Sequence, residues 1–253
     1  MEYHTVCVLM STYNGEKFLE QQLRSIYDQR GVRTMLLVRD DNSSDSTTRI
    51  LLHHSSEGRL EWYGGQNLGP ARSYMDLLGR ASGRAELYAF SDQDDVWLPE
   101  KLGAAASAIG SDDCPALYMC PTTLVDAELA MLPQKRITPR LTFGESLIYQ
   151  YASGCTMVFN EALRRIVMSY EPRYLFMHDA WVVAVAFAVG AKVFYDHKSY
   201  IKYRQHGGNV IGEGGTMLSD WHRRLRRIRS NQHVRSCTAT ELLKGYGHIM
   251  KAE

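Results

Sequence analysis

Cysteine is scarce in this 253-residue chain: Cys7, Cys114, Cys120, Cys155 and Cys237 make an odd set with no Cys-x-x-Cys pair. That excludes a disulfide framework and a zinc knuckle, and it fits a reducing, cytoplasmic compartment. Net charge is nearly absent as well, 29 Lys and Arg against 28 Asp and Glu. No global field therefore points to nucleic acid or to an acidic polymer, and any anionic ligand must be met by local groups. Long apolar runs are missing: the longest, Ala180–Val189, is too short to span a bilayer and is closed by Gly190 and Lys192. The first ten residues carry acid, histidine and threonine where a secretory leader would be basic and then apolar. Neither internal repeats nor low-complexity tracts interrupt the chain. What remains is 45% hydrophobic, enough for a real core in one large domain or two small ones.

The apolar residues come in short runs. Val6–Met10 is nearly continuous and mostly β-branched, the pattern of a strand buried on both faces of a parallel sheet. Gly15–Gln29 follows with near-helical spacing at Phe18, Leu23, Ile26 and Tyr27. Met35–Val38 reads as a second strand and Asp45–His54 as a second helix. Leu60–Tyr63, Leu68–Ala81 and Leu87–Phe90 then continue as strand, helix, strand. Alternation of this length predicts an α/β fold, with helices on both sheet faces and the ligand at the carboxyl ends of the strands. After a helix over Pro99–Ile109 the pattern loosens, and a change of architecture is expected near Cys120. Ala116–Met119 and Thr156–Phe159 read as strands with a helix over Phe143–Tyr149 between them. Asp179–Val189 reads as an apolar helix, followed by extended pieces at Lys192–Tyr195 and Ile201–Arg204.

Three strand ends carry the polar chemistry. Ser11-Thr12-Tyr13-Asn14-Gly15 follows the first strand, where small hydroxyls and an aromatic could hold a base or ribose, or simply form an Asn-Gly turn. Asp40-Asp41-Asn42-Ser43-Ser44-Asp45 follows the second, and its adjacent carboxylates repel each other unless donors meet them. A uracil or thymine imide N–H, or ribose hydroxyls, would donate in the right direction, and Asx-turn or capping chemistry accounts for some of these residues. Adjacent strand residues point to opposite faces, so only one of Asp40 and Asp41 is expected to line a pocket. The third end, Ser91-Asp92-Gln93-Asp94-Asp95-Val96-Trp97-Leu98-Pro99, is the strongest signal. Capping before Pro99 explains one acid, not all three. Hard oxygen ligands there suit Mg²⁺ or Mn²⁺ completed by phosphate oxygens and water.

The ordered set Ser-Thr-Tyr-Asn-Gly, Asp-Asp-Asn-Ser-x-Asp and Ser-Asp-Gln-Asp-Asp-x-Trp-Leu-Pro-Glu-Lys-Leu resembles the family 2 glycosyltransferases, inverting enzymes with a GT-A fold, over nearly the whole chain. The resemblance implies that Ser11, Tyr13 and Asp41 touch the nucleoside of a UDP- or dTDP-sugar donor. It places Asp92 on the ribose side and Asp94 on the metal, as the last acid of the family's D-x-D signature. In Met177-His178-Asp179-Ala180-Trp181, Asp179 falls where the family's E-D or H-D motif carries the catalytic base, although a helix N-cap alone would also place an acid there. In the later segment Tyr203 to Gly212, His206 is implied as a further metal ligand and Arg204 as a partner of the diphosphate. Gly207, Gly208, Gly212, Gly214 and Gly215 would let that segment order over the donor. Ser153-Gly154-Cys155-Thr156 resembles an acceptor-side segment, and Cys155 has no neighbouring base in sequence that would make it a nucleophile.

On this basis residues 1–219 are expected to form one GT-A domain, with 1–119 binding the nucleotide sugar and 120–219 serving the acceptor. Residues 220–253 would be a basic, helical extension. Within it, Trp221 to Arg229 reads as a solvated helix face or as a peripheral contact with an anionic membrane, which would suit a lipid-linked saccharide acceptor. The chain also resembles rhamnosyltransferase-type enzymes of bacterial surface polysaccharides, so the transferred group is expected to be rhamnosyl or another hexosyl. Two rival functions remain at this level. A nucleotidyltransferase would want a Gly-rich, basic phosphate loop after the first strand, which Ser11–Gly15 lacks. A non-catalytic sugar-nucleotide-binding scaffold would have no need of Asp179.

Overall fold

Strand β1 (Thr5–Thr12) is apolar along both edges of its pleat because both of its faces are covered. Cys7 and Leu9 point into one cluster, Val6, Val8 and Met10 into the other. The computed structural model describes residues 3–111, 113–134, 138–148, 153–206 and 233–251. Within them β1 pairs in parallel with β2 (Arg33–Asp40), in register from Thr5↔Arg33 to Thr12↔Asp40. It also pairs in parallel with β4 (Leu87–Ser91). With β3 (Glu61–Gly64), β6 (Ala116–Met119), β8 (Val158–Asn160) and β9 (Lys192–Tyr195), these form a seven-stranded sheet of order β3-β2-β1-β4-β8-β6-β9. Only β8 runs antiparallel to its neighbours, so the sheet is mixed.

One face is covered by α1 (Leu19–Tyr27), α2 (Thr47–Ser56) and α4 (Lys101–Ile109), which bury Leu19, Leu23, Ile26, Leu51 and Leu102 against Val6, Val8 and Met10. The other carries α3 (Gly69–Arg80), α6 (Glu161–Met168) and α7 (His178–Ala188). Helix α7 is buried almost all round, because α3, α6 and the short α5 (Phe143–Ser146) pack on it along with the last helix, α8 (Val234–Tyr246). Among the described residues no helix is long and apolar enough to cross a membrane.

A second sheet of three short strands does most to position the site. After β6 the chain leaves the main sheet to form β7 (Thr123–Val125), the change of architecture expected near Cys120. Strand β10 (Ile201–Arg204) lies parallel to β7 and antiparallel to β5 (Val96–Trp97), directly after the acidic strand end. This brings residues 204–206 beside Asp94 and Asp95.

Several elements differ from the sequence expectation. Helix α1 starts at Leu19 and not at Gly15, because the preceding N–H groups are engaged elsewhere: Gly15 N donates to Thr47 Oγ1 and Glu16 N to Asp45. The strand expected from Thr156 is a 3₁₀ turn, Gly154–Thr156, before β8 begins. Helix α6 was hidden behind that run, although Asn160 supplies its cap by accepting from Leu163 N at 3.1 Å. Helix α8 packs Leu242 and Tyr246 into the main core, and Tyr246 Oη donates to Val167 O at 2.9 Å. The basic run 220–229 and the glycines from 207 to 215 lie outside the described residues.

Candidate active site

The loops after β1 and β2 are laced together. Asn14 and Asn42 both adopt left-handed backbone, φ 49° and 70°, which Asn tolerates better than most residues. Asn14 N donates to Ser43 Oγ at 2.9 Å, and Asn14 Oδ1 accepts from Ser44 N at 2.8 Å. Gly15 is set by close approach: a Cβ there would collide with the Gln93 amide. That amide accepts from Tyr13 N at 2.9 Å and donates to Tyr13 O at 3.0 Å, so the acidic loop grips the first loop through its backbone. The Tyr13 ring itself is half exposed.

Asp40 and Asp41 are both buried and both answered by donors. Asp40 accepts from Thr12 Oγ1 at 3.0 Å, from Ser43 N at 2.9 Å and from Ser43 Oγ at 2.6 Å. Asp41 is ion-paired to Arg39 and accepts from Leu68 N at 3.1 Å and Gly69 N at 2.9 Å, at the start of α3. Arg39 continues to Asp76 at 3.1 Å and to Ser73 Oγ at 3.3 Å, and Ser73 Oγ lies 2.6 Å from Ser11 Oγ. Ser11 and Asp41 therefore belong to one network on the β1–β2 strand ends, with Asp40 holding the loop from the other side.

At the acidic strand end the carboxylates diverge. Asp92 accepts from Tyr74 Oη at 3.0 Å, and burial, then the charge of Asp94, pushes its pKa up to about 7. Asp179 adds to that rise, so the negative field of α7's first turn reaches the acidic loop. Asp94, part-exposed, lies with Oδ2 2.7 Å from His206 Nε2. Asp95 is fully buried and accepts from Arg204 N at 3.2 Å. The Arg204 guanidinium donates from Nε to Asp94 O at 2.7 Å, to Gln21 Oε1 at 2.6 Å and to Ala127 O, and it lies 4.4 Å from the Phe18 ring centre. With 1% of its surface exposed, it ties β10 to the acidic loop and to α1.

Asp179 stands in the first turn of α7, where the helix dipole favours a carboxylate. Its Oδ2 accepts from Gly154 N at 3.0 Å and its Oδ1 from Ala180 N at 2.7 Å. Gly154 must be glycine, since a Cβ would sit 2.6 Å from His178 Nε2. His178 is buried between the Tyr74 ring, stacked at 3.9 Å, and the Phe90 edge, and burial holds its pKa near 4, so it is neutral at pH 7. Tyr74 thus bridges the acidic loop, through Asp92, and the Asp179 helix, through His178. Residue type and spacing give Tyr74 and Gln93 no role, and Gly154 enters only within the acceptor-like segment Ser153–Thr156. The only signal for the first was its place on the buried face of α3, and for the second its position inside the acidic cluster.

Asp94 and His206 supply a carboxylate and an imidazole from two elements, both part-exposed. That set could hold a hard divalent cation such as Mg²⁺ or Mn²⁺, which takes one or two protein ligands and completes its shell with phosphate oxygens and water.

The family model described as Glycosyl transferase family 2 matches residues 7–167, from β1 into α6. The chain belongs to that family. A relative, the dTDP-rhamnosyl transferase RfbG of Shigella flexneri, is 24% identical over 275 positions, covering 96% of this chain and 91% of that protein. The UDP-Glc:alpha-D-GlcNAc-diphosphoundecaprenol beta-1,3-glucosyltransferase WfgD of Escherichia coli is 31% identical over 119 residues, 47% of this chain and 46% of its own. Among solved structures, S. aureus TarS 1-349 in complex with UDP superposes with a TM-score of 0.64 at 20% identity, covering 95% of this chain and 66% of that one. The mannosyltransferase PcManGT of Pyrobaculum calidifontis, in complex with GDP-Man and Mn²⁺, gives 0.62 at 13% identity, covering 100% and 77%. The fold of this glycosyltransferase is GT-A, as its motifs implied.

Proposed function

We propose that this family 2 enzyme is a metal-dependent, inverting glycosyltransferase that moves a rhamnosyl or other hexosyl group from a dTDP- or UDP-sugar. The acceptor is a saccharide or lipid-linked saccharide of a cell-surface polysaccharide, and the reaction takes place on the cytoplasmic side. The likeness to RfbG over nearly the full chain supports the donor class, and that to WfgD over part of it a lipid-linked saccharide acceptor. The observation that carries the chemistry is the orientation of Asp179 by Gly154 N, in a helix first turn within electrostatic reach of the donor loop.

Ser11, Tyr13 and Asp41 would receive the nucleoside and Asp92 the ribose, while Arg204 holds the loop that presents them. Asp94 and His206 would hold the divalent cation, which when bound offsets charge developing on the departing diphosphate. Asp179 would act as the base, its carboxylate held by the backbone N–H groups of Gly154 and Ala180. It accepts the acceptor hydroxyl's proton as that oxygen bonds to the anomeric carbon, and the bond to the diphosphate oxygen breaks with its electron pair leaving on the nucleotide. A sugar hydroxyl is a weak acid, so the proton moves late and the base need only be ionised, aligned and near.

The test is Asp179→Asn, which preserves shape. Donor affinity should stay within about threefold while turnover falls roughly a hundredfold or more. A loss of donor affinity equal to the loss of rate would reassign Asp179 to nucleotide or metal binding, and an unchanged rate would leave it a helix residue only.

A further inference from the structure

One buried side chain touches both halves of the site. Tyr74, in the middle of α3, sends its hydroxyl to the acidic strand end, where the single O–H proton is shared between Ser91 O at 2.7 Å and Asp92 Oδ1 at 3.0 Å. Packing alone asks for no such hydroxyl, because a phenylalanine ring would fill the same space. The Tyr74 ring meanwhile lies on His178 of α7, with centres 3.9 Å apart and planes 23° from parallel. Phe90 of β4 closes the group edge-on, 5.3 Å from Tyr74 and 4.8 Å from His178. Ring geometry thereby fixes α3, β4 and α7 to one another.

His178 is held without polar contacts: neither of its buried ring nitrogens has a hydrogen-bond partner among the described residues. An imidazole buried in that way costs stability relative to an apolar side chain of its size, and its place is set by the rings and the backbone it meets. That backbone is Gly154. A Cβ there would stand 2.6 Å from His178 Nε2, so the imidazole lies directly against the bare turn. Gly154 N in turn donates to Asp179 Oδ2 at 3.0 Å. Through the imidazole, the Tyr74 ring bears on the group that orients Asp179, while its hydroxyl bears on Asp92.

We propose that Tyr74 is a positioning residue for the transfer reaction: its hydroxyl sets Asp92 for the nucleotide, and its ring, through His178 and Gly154, sets the Asp179 carboxylate for the acceptor hydroxyl. The assignment rests on the reading of Asp92 as a ribose-side group and of Asp179 as the base. Its two halves sit on different atoms of one side chain, so each can be removed without the other.

The experiment uses the full chain as wild type, Tyr74→Phe, Tyr74→Leu, His178→Leu, Asp179→Asn and the double variant of the last two. Calorimetry with Mg²⁺ present gives UDP and dTDP affinity, and nucleotide release from UDP-glucose and dTDP-rhamnose gives kcat. Tyr74→Phe keeps the ring, so nucleotide affinity should fall by about fivefold, the scale of one hydrogen bond, while kcat stays within about threefold. Tyr74→Leu and His178→Leu remove the stack and should each lower kcat by about tenfold or more, His178→Leu with nucleotide affinity within about twofold of wild type. In the Asp179→Asn background His178→Leu should cost no further rate, because the group it positions is already gone. A tyrosine that only fills the core would change melting temperature alone. Wild-type nucleotide affinity in Tyr74→Phe therefore overturns the proposal by itself, whatever the rates, and so does wild-type kcat in His178→Leu when Asp179→Asn is slow. If Tyr74→Leu does not fold, His178→Leu reads the ring half. Wild-type turnover in Asp179→Asn would instead overturn the reading of Asp179 as the base, and the affinity of Tyr74→Phe would still judge the hydroxyl half.

Discussion

His206 Nε2 lies 2.7 Å from Asp94 Oδ2 across 112 positions of sequence. The approach is made by the small sheet: β5 and β10 pair antiparallel, which sets His206, two residues past β10, beside the acidic loop. His206 is further fixed by its ring contact with Phe18, 4.9 Å between centres. The cation site proposed for these two residues requires both elements to be docked.

The expected outcome is that Asp94→Ala abolishes the metal-dependent part of UDP or dTDP binding with little change in melting temperature. His206→Ala should weaken that part by about tenfold, the scale of losing one ligand or its support. Calorimetric titrations with and without Mn²⁺ measure both, and an Asp94→Ala protein with the wild-type metal response would remove the assignment.

Asp94 was legible because an apolar run, Leu87–Phe90, delivers it to a strand end, and local pattern suffices for that. Its neighbourhood to His206 came only through family resemblance, since no local pattern encodes a pairing between a two-residue strand and one far along the chain. The resemblance implied Arg204 as a partner of the diphosphate; the bonds its guanidinium donates to Asp94 O, Gln21 and Ala127 are specified by tertiary packing, and no local pattern encodes them. Gln93 was invisible for a related reason: a polar side chain inside an acidic cluster gives no sign that it clamps a loop on another strand.

Asp40 and Asp41 should separate in their effects. Asp40 bonds within its own loop and to Thr12, so Asp40→Ala should cost about 1–3 kcal/mol of stability with a smaller effect on nucleotide. Asp41 links Arg39 to the start of α3 beside Ser73 and Ser11, so Asp41→Ala should weaken UDP or dTDP binding by about tenfold. Equal affinity losses, or a larger one for Asp40, would reverse the choice between them.

Gly15→Ala tests the grip of the acidic loop on the first loop. The new methyl group displaces the Gln93 amide, a flexible end that can move, so the melting temperature should fall by only a few degrees. Tyr13 loses both backbone bonds, and nucleotide affinity should drop severalfold. The discriminating comparison is with Gln93→Ala: the double variant should bind no worse than Gln93→Ala alone. Independent, additive losses would mean that Gly15 acts through something other than Gln93.

Helix α8 is tied down by one buried carboxylate, and its pH dependence has a definite sign. Glu241 accepts from Lys244 Nζ at 3.0 Å, from Tyr170 Oη at 2.8 Å and from Arg173 N at 2.8 Å. Those bonds, with Lys244 the largest contributor, pull its pKa down to about 2, below the roughly 4.3 of a free glutamate. The folded state thus prefers the ionised form, so the stabilisation is fully present above about pH 4.3 and is lost as pH falls towards 2. Glu241→Gln should therefore lower stability at pH 7 by about 1–3 kcal/mol, the scale of bonds to a charged acceptor. Urea titrations at several pH values would show the gap between wild type and variant constant from pH 8 to pH 5 and closing between pH 4 and pH 2. A gap that stays open at low pH would mean that Glu241 stabilises α8 by packing and not by charge. Because Tyr170 and Tyr246 also meet edge to face at 6.0 Å, a Tyr170→Phe variant separates the two: it keeps the ring contact, loses one hydrogen bond and should retain most of the acid-sensitive gap through Lys244 and Arg173.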